Sequence, residues 1–254
     1  PLTQVKGYAD ILAAMNESQA ITPKQTQEIL GHINRAVRRL EELITAMLDA
    51  SQLDAEGMQL SFMDTSIDTI VRIAIDPMTQ AVKDRRITIT RGGLADLPPI
   101  RADFKRLVQA FSNMIGNAVK YTPDHGNITI RAALVPDQDD ETTNMEIVLA
   151  DTGIGIEQKY HDLIFEKFFR IGDTQLHSTG STKFKGAGPG LGLTIAKGVL
   201  EAHGGRIWIE SEGEDEERLP GSRFHIILPL MPPGSEATEE VREEEKERPA
   251  WLIG

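Results

Sequence analysis

The sequence predicts an α+β protein in two parts, a helical hairpin followed by an α/β sandwich. Three observations carry this reading. Before Gly57, apolar residues recur at alternating three- and four-residue steps; after it, short alternating runs are interleaved with helical ones; and Gly204-Gly205 stops the last of the helical runs. A chain of 254 residues can bury one or two real cores.

Leu2, Val5, Ala9 and Leu12 mark one helical face, which Tyr8 and Met15 widen. Thr22-Pro23 opens a second helix, with Thr as N-cap and Pro at the first helical position, where its missing N–H costs nothing. Ile29, Ile33, Val37, Leu40, Ile44 and Met47 repeat the stripe, and Glu28, Arg35, Arg38, Arg39, Glu41 and Glu42 occupy the other faces. Two such helices with a short connection form an antiparallel hairpin. A hairpin alone cannot cover both stripes, so a four-helix bundle built from two copies is the natural solution; packing on the chain's own next domain is the alternative.

Beyond Gly57, Gln59 to Met63 reads as a strand and Ile67 to Val82 as a helix with Ile70, Val71, Ala74 and Ile75 inward. Arg86 to Thr90 alternates like a strand. Asp103 to Tyr121 reads as a strong helix whose buried stripe is Leu107, Phe111, Met114, Ile115 and Ala118. Asn127 to Val135 and Met145 to Ala150 read as strands. Ile171 to Pro189 has no usable periodicity, as in a functional lid or a disordered loop. Leu191 to His203 is a helix stopped by Gly204-Gly205, and Arg206 to Ser211 pairs with Ser222 to Leu228. The expected divisions are 1–56, 57–232 and 233–254. The last stretch holds seven Glu against two Arg and one Lys, and reads as a disordered acidic tail.

Composition narrows the function. Apolar residues make up 40% and charged residues 26%, as in an ordinary soluble globular protein. A net charge of −12 argues against nonspecific nucleic-acid binding, which needs a basic footprint. No apolar run is long enough to span a bilayer and no signal peptide is visible, so membrane attachment is expected only through segments ahead of Pro1. The absence of cysteine removes disulfides and thiolate metal sites, and fits a reducing cytoplasm.

Three stretches carry chemistry. Asn113, Asn117 and Lys120 stand at i, i+4 and i+7, away from the buried stripe of their helix. Two amides beside a lysine offer carbonyl oxygens to a hard cation and positive charge to phosphate; a solvated polar face with capping amides is the plainer reading. Asp151-Thr152-Gly153-Ile154-Gly155-Ile156 follows a strand directly. A carboxylate there can accept from an adenine amino group, and the glycines allow positive φ and close approach to a flat ring; a tight Asx-capped turn serves the pattern as well. Gly186-Ala187-Gly188-Pro189-Gly190-Leu191-Gly192-Leu193 leads into a helix, whose leading N–H groups and dipole suit phosphate oxygens. It is neither a Walker loop nor a dinucleotide fingerprint, since no Gly-Lys-Ser/Thr follows and no strand immediately precedes it.

Taken in order, these stretches resemble the histidine kinase branch of the ATPase superfamily that also contains gyrase, Hsp90 and MutL. Asn113 to Thr122 is similar to the family's N box and Asp151 to Gly155 to its first glycine box. Phe165 to Arg170 is similar to the F box and Gly188 to Leu193 to the second glycine box. The opening Pro1 to Tyr8 resembles the stretch just downstream of the phosphate-accepting histidine in that family.

The resemblance implies an ATP-binding histidine kinase core of a two-component system, working with Mg²⁺, as a homodimer, on a response regulator. It implies Asn117 as the magnesium ligand with Asn113 beside it, Lys120 and Arg170 against phosphate, Tyr121 lining the pocket, and Asp151 on the adenine amino group. Gly153, Gly155 and Ile156 would follow the nucleotide, and Gly186, Gly188, Gly190, Leu191 and Gly192 would close around its phosphates. Ile171 to Pro189 would be the lid, with Lys183 and Lys185 as lid contacts or simply solvated lysines. Gyrase-type relatives carry a glutamate where Asn113 stands; an amide cannot take a proton from water, which favours phosphate transfer over hydrolysis.

Two departures matter. The acceptor histidine would lie five positions ahead of Pro1, so this chain is expected not to phosphorylate itself, and His32 is no substitute. Pro189 stands where the family has an N–H donor. An inactive nucleotide-binding dimerisation scaffold is therefore the competing reading.

Overall fold

The computed structural model describes residues 2–17, 22–52, 58–136, 143–171 and 190–232. The chain separates into two compact units, Pro1–Glu56 and Gly57–Gly254.

The first unit is a hairpin of α1 (Leu2–Glu17) and α2 (Pro23–Gln52) packed on each other. Thr22 starts α2 with a reciprocal cap. Its Oγ1 accepts the Gln25 N–H at 3.3 Å, while Gln25 Oε1 accepts the Thr22 N–H at 3.0 Å, so two donors that the helix leaves unpaired are satisfied. Ile29 and Ala36 are buried between the helices, whereas Val37, Ile44, Met47 and Leu48 remain exposed. His32 is also exposed, stacked on the Tyr8 ring at 4.7 Å.

The second unit is a two-layer sandwich. Its five-stranded sheet has the order β2-β4-β5-β7-β6, built from β2 (Thr88–Gly92), β4 (Asn127–Pro136), β5 (Thr143–Asp151), β6 (Arg206–Glu210) and β7 (Ser222–Pro229). Only β2 and β4 run parallel; the other neighbours are antiparallel. Period-two alternation sends Ile128, Ile130, Met145, Ile147, Leu149, Phe224, Ile226 and Leu228 into the core. The core is closed by α3 (Ile67–Ile75), α5 (Phe104–Tyr121) and α6 (Gly192–Ala202), with α5 in contact with both other helices. The stripe of α5 expected from its spacing, Leu107, Phe111, Met114, Ile115 and Ala118, is buried throughout. A second pair, β1 (Met63–Thr65) with β3 (Ile100–Ala102), runs antiparallel beside it.

Several boundaries differ from the sequence reading. The expected strand Gln59 to Met63 is instead Met63–Thr65, because its only partner among the described residues is the three-residue β3. The expected helix Ile67 to Val82 breaks after Ile75 into a 3₁₀ turn, Asp76–Met78, and resumes as α4 (Thr79–Asp84). Pro77 removes the N–H that a continuous helix needs there. The strand expected at Arg86 to Thr90 begins at Thr88, since Arg86 turns the chain with φ +53°. The expected lid beyond Ile171 and the acidic tail 233–254 lie outside the described residues, and no described helix is long and apolar enough to cross a membrane.

The start of α5 is fixed from three directions. Asp103 Oδ1 accepts the Arg106 N–H at 3.0 Å as N-cap, and its Oδ2 accepts the Ser61 N–H at 3.0 Å. The Asp103 N–H donates to Nε2 of buried His203 at 2.9 Å, leaving Nδ1 to donate to the Val199 carbonyl at 2.7 Å. His203 is thus held neutral in one tautomer, and burial lowers its pKa below the usual histidine value.

Candidate functional site

The last turns of α5 bring the first set of residues together. Asn113, Asn117, Lys120 and Tyr121 are half-buried, on the helix flank that its apolar stripe leaves free. Lys120 Nζ lies 4.5 Å from the centroid of the Tyr121 ring.

The turn after β5 is joined to this end of the helix. The Tyr121 carbonyl accepts the Ile154 N–H at 3.3 Å, and Asp151 Oδ1 accepts the Gly153 N–H at 2.8 Å. A Cβ on Gly153 would lie 2.6 Å from both Asp151 Oδ1 and the Tyr121 carbonyl oxygen, so only glycine lets the turn sit against the helix. Gly155 alone of the pair uses the left-handed region, at φ +75°, where a Cβ would meet the Gly213 carbonyl at 2.0 Å. The Ile156 N–H donates to Ser211 Oγ at 2.9 Å, which ties the turn to the β6 end of the sheet.

Burial pushes the Asp151 carboxyl up to about 6, against the opposing pull of backbone N–H groups from Gly153 and Ser222. A carboxylate held this way has a standing demand for another hydrogen-bond donor.

The first turn of α6 meets α5 from the other side. A Cβ on Gly192 would lie 3.6 Å from Cγ and Oδ1 of Asn113, so the amide faces the opening of α6 directly. The Leu191 side chain gives that opening no cap, so its leading N–H groups have no side-chain cap from that position. Leu191 itself is fully buried. Thr194 Oγ1, one turn in, is buried with no hydrogen-bond partner among the described residues.

Gly190, at φ +75°, accepts the Phe168 N–H at 2.9 Å, and a Cβ there would strike the Phe169 carbonyl at 2.8 Å. The segment ending in half-buried Arg170 is thereby fastened to the approach to α6. Phe168 is itself left-handed, at φ +64°, and exposed.

The structure therefore gathers Asn113, Asn117, Lys120 and Tyr121 on one helix, joins Asp151, Gly153, Gly155 and Ile156 to its end, and sets Gly192 against Asn113. Gly186, Gly188, Lys183, Lys185 and Pro189 lie outside the described residues. Sequence reasoning missed Arg85, whose guanidinium is bound to the end of α5; an arginine 34 to 37 positions from its partners leaves no local pattern.

Comparison with known proteins agrees with this architecture. Residues 102–232 match the family of histidine kinase-, DNA gyrase B- and HSP90-like ATPases, and residues 1–56 match the His kinase A (phospho-acceptor) domain. The chain is 28% identical over 235 residues to the adaptive-response sensory kinase SasA of Synechococcus elongatus, covering 91% of this chain and 56% of that protein. It is 33% identical over 229 residues to cyanobacterial phytochrome B of Nostoc sp., covering 90% of this chain and 27% of that one. Among solved structures, the mycobacterial sensor histidine kinase MprB superposes with a TM-score of 0.52 at 26% identity, over 68% of this chain and 99% of the other. Full-length ShkA in complex with AMPPNP shares the fold, with a TM-score of 0.64 at 24% identity, over 90% of this chain and 46% of that one. The chain spans about half or less of the length of these two curated relatives. With an ATPase-family sandwich and a phospho-acceptor-type hairpin in one sequence, the chain belongs to the sensor histidine kinases.

Proposed function

We propose that the sandwich binds Mg-ATP and delivers its γ-phosphoryl group to a histidine that the family resemblance places ahead of Pro1. The observation that carries this is the meeting of α5 with two other segments. The Asn113 amide faces Gly192 at the opening of α6, while the Asp151 turn is bonded to Tyr121 at the other end of the same helical flank.

The residues suit the ligand chemically. Asp151 seeks a donor, which an adenine amino group supplies. Asn117, with Asn113 beside it, offers carbonyl oxygen to a hard cation. Lys120 and Arg170 counter phosphate charge, and the uncapped N–H groups at the start of α6, with the Thr194 hydroxyl, suit phosphate oxygens. Bound nucleotide supplies the phosphoryl group and the cation neutralises developing charge. The protein contributes position, a fixed electrostatic frame and, in Asn113, a side chain unable to activate water.

The hairpin is read as a dimerisation element, because Ile44, Met47 and Leu48 are 51%, 52% and 62% exposed on α2. ThkA, a structural neighbour, was solved in complex with the response regulator protein TrrA, and we assign this chain a receiver-type partner of the same kind.

Calorimetry on the 254-residue chain tests the reading. Magnesium-dependent ATP binding with a micromolar Kd, about −8 kcal/mol, is expected; no binding refutes it. A chain extended upstream is expected to become labelled from ATP at an acid-labile site. Binding without labelling in that extended chain would leave a nucleotide-binding scaffold.

A further inference from the structure

We propose that Arg85 is a positioning residue for the nucleotide site, setting the last turn of α5 from behind. The inference rests on the nucleotide-binding reading above and adds a residue to it.

An α-helix ends with carbonyls that have no partner within it, and α5 ends at the residues the site needs most. The Ala118 carbonyl is taken by the Thr122 N–H at 3.0 Å, and the Tyr121 carbonyl by Ile154. Arg85 takes two more. One terminal nitrogen, Nη1, donates to the Val119 carbonyl at 2.5 Å, and the other, Nη2, donates to the Thr122 carbonyl. Those carbonyls flank Lys120 and Tyr121 on either side. Nε donates to Asp124 Oδ1 at 2.9 Å, so all three edges of the planar group are engaged.

The Arg85 side chain is only 11% exposed, and its positive charge sits at the negative end of the helix dipole. Its backbone is tied to the same corner, since the Arg85 carbonyl accepts the His125 N–H at 3.0 Å. A rigid fork that bridges two carbonyls fixes their spacing, which a single ammonium group cannot do. The Asp151 turn has anchors of its own, the Gly221 N–H on the Gly153 carbonyl at 2.9 Å and the Ile156 N–H on Ser211 Oγ at 2.9 Å, so a shift of this helical turn moves the Lys120 charge more than Asp151.

The consequence is a selective loss. With Lys120 displaced, phosphate contacts weaken more than the adenine contact assigned to Asp151. In the 254-residue chain, Arg85→Gln is expected to lower ATP affinity about tenfold while adenosine affinity falls by less than about threefold. Arg85→Lys should recover part of the ATP affinity, since it keeps the charge and loses the fork.

Both ligands are measured by calorimetry well below the unfolding transition of each variant, located by circular dichroism. A folded Arg85→Gln chain with wild-type ATP affinity overturns the proposal, as does an equal loss for ATP and adenosine, which is what a general loosening of the domain would give. Should Arg85→Gln fail to fold, Arg85→Lys decides in the same way. Wild-type chain that binds no ATP sinks the nucleotide reading and this inference together; wild-type binding with indifferent variants sinks this one alone.

Discussion

The hairpin and the sandwich solve the burial problem differently. In the sandwich, inward positions of the sheet and of α3, α5 and α6 are covered almost completely by one another. In the hairpin, α2 buries Ile29 and Ala36 against α1, yet leaves Val37, Ile44, Met47 and Leu48 in solvent. The sandwich is closed by its own chain and the hairpin is left open. Equal apolar side chains therefore have unequal weight: in the sandwich they stabilise a fold, and in the hairpin they are the surface to which the proposed association is assigned.

Three substitutions sharpen or break this contrast. Phe111→Ala empties a fully buried site on α5 and should cost about 3–5 kcal/mol of sandwich stability, read by thermal or urea unfolding. A loss below about 1 kcal/mol would mean the core is looser than its burial implies.

Asp151→Asn should act in the opposite direction on stability. The carboxyl titrates near 6 in the fold against 3.8 for the free group, so folding binds an extra proton between those values. The burial penalty on the charged form is present in full above pH 6 and is relieved as pH falls toward 4; it amounts to about 3 kcal/mol at most. The variant should thus raise Tm at about pH 7.5 while weakening ATP binding by about 1.5–3 kcal/mol. Unchanged ATP affinity would remove Asp151 from the site.

Ile44→Asp, the smallest of the three, should leave unfolding of the dilute chain nearly unchanged and weaken dimerisation by about 2 kcal/mol, followed by sedimentation at graded concentration. A large destabilisation of the sandwich by this change would break the division between the two regions.

Long periodic elements were legible from sequence because they depend on their own side chains. The stripe of α5, the two hairpin helices and the alternation of β4, β5 and β7 all follow from spacing. Short elements were not. β3, just after Pro98-Pro99, exists because β1 and the Leu230 carbonyl pair with it, and neither is near in sequence. Arg86 and Phe168 adopt left-handed backbone without being glycine, so no residue type announced those turns. In the site, Asn113, Asp151 and Gly192 were readable because each sits at a fixed offset from a helix or strand end. Arg85 and His203 were opaque: apart from Asp124 on Arg85, the partners described above are carbonyls and N–H groups, which every residue type but proline offers in full.

The position of β7 within the sheet bears on synthesis. It is the last of the sheet's strands in the chain, yet it lies between β5 and the edge strand β6, so β5 stays unpaired on one side and β6 without a neighbour in the sheet until Pro229 has left the ribosome. The same holds at the start of α5, where the Asp103 N–H waits for His203, 100 positions later, to accept it. A ribosome adds about 5–20 residues per second. Residues 1–56 are consequently synthesised seconds before the sandwich can close.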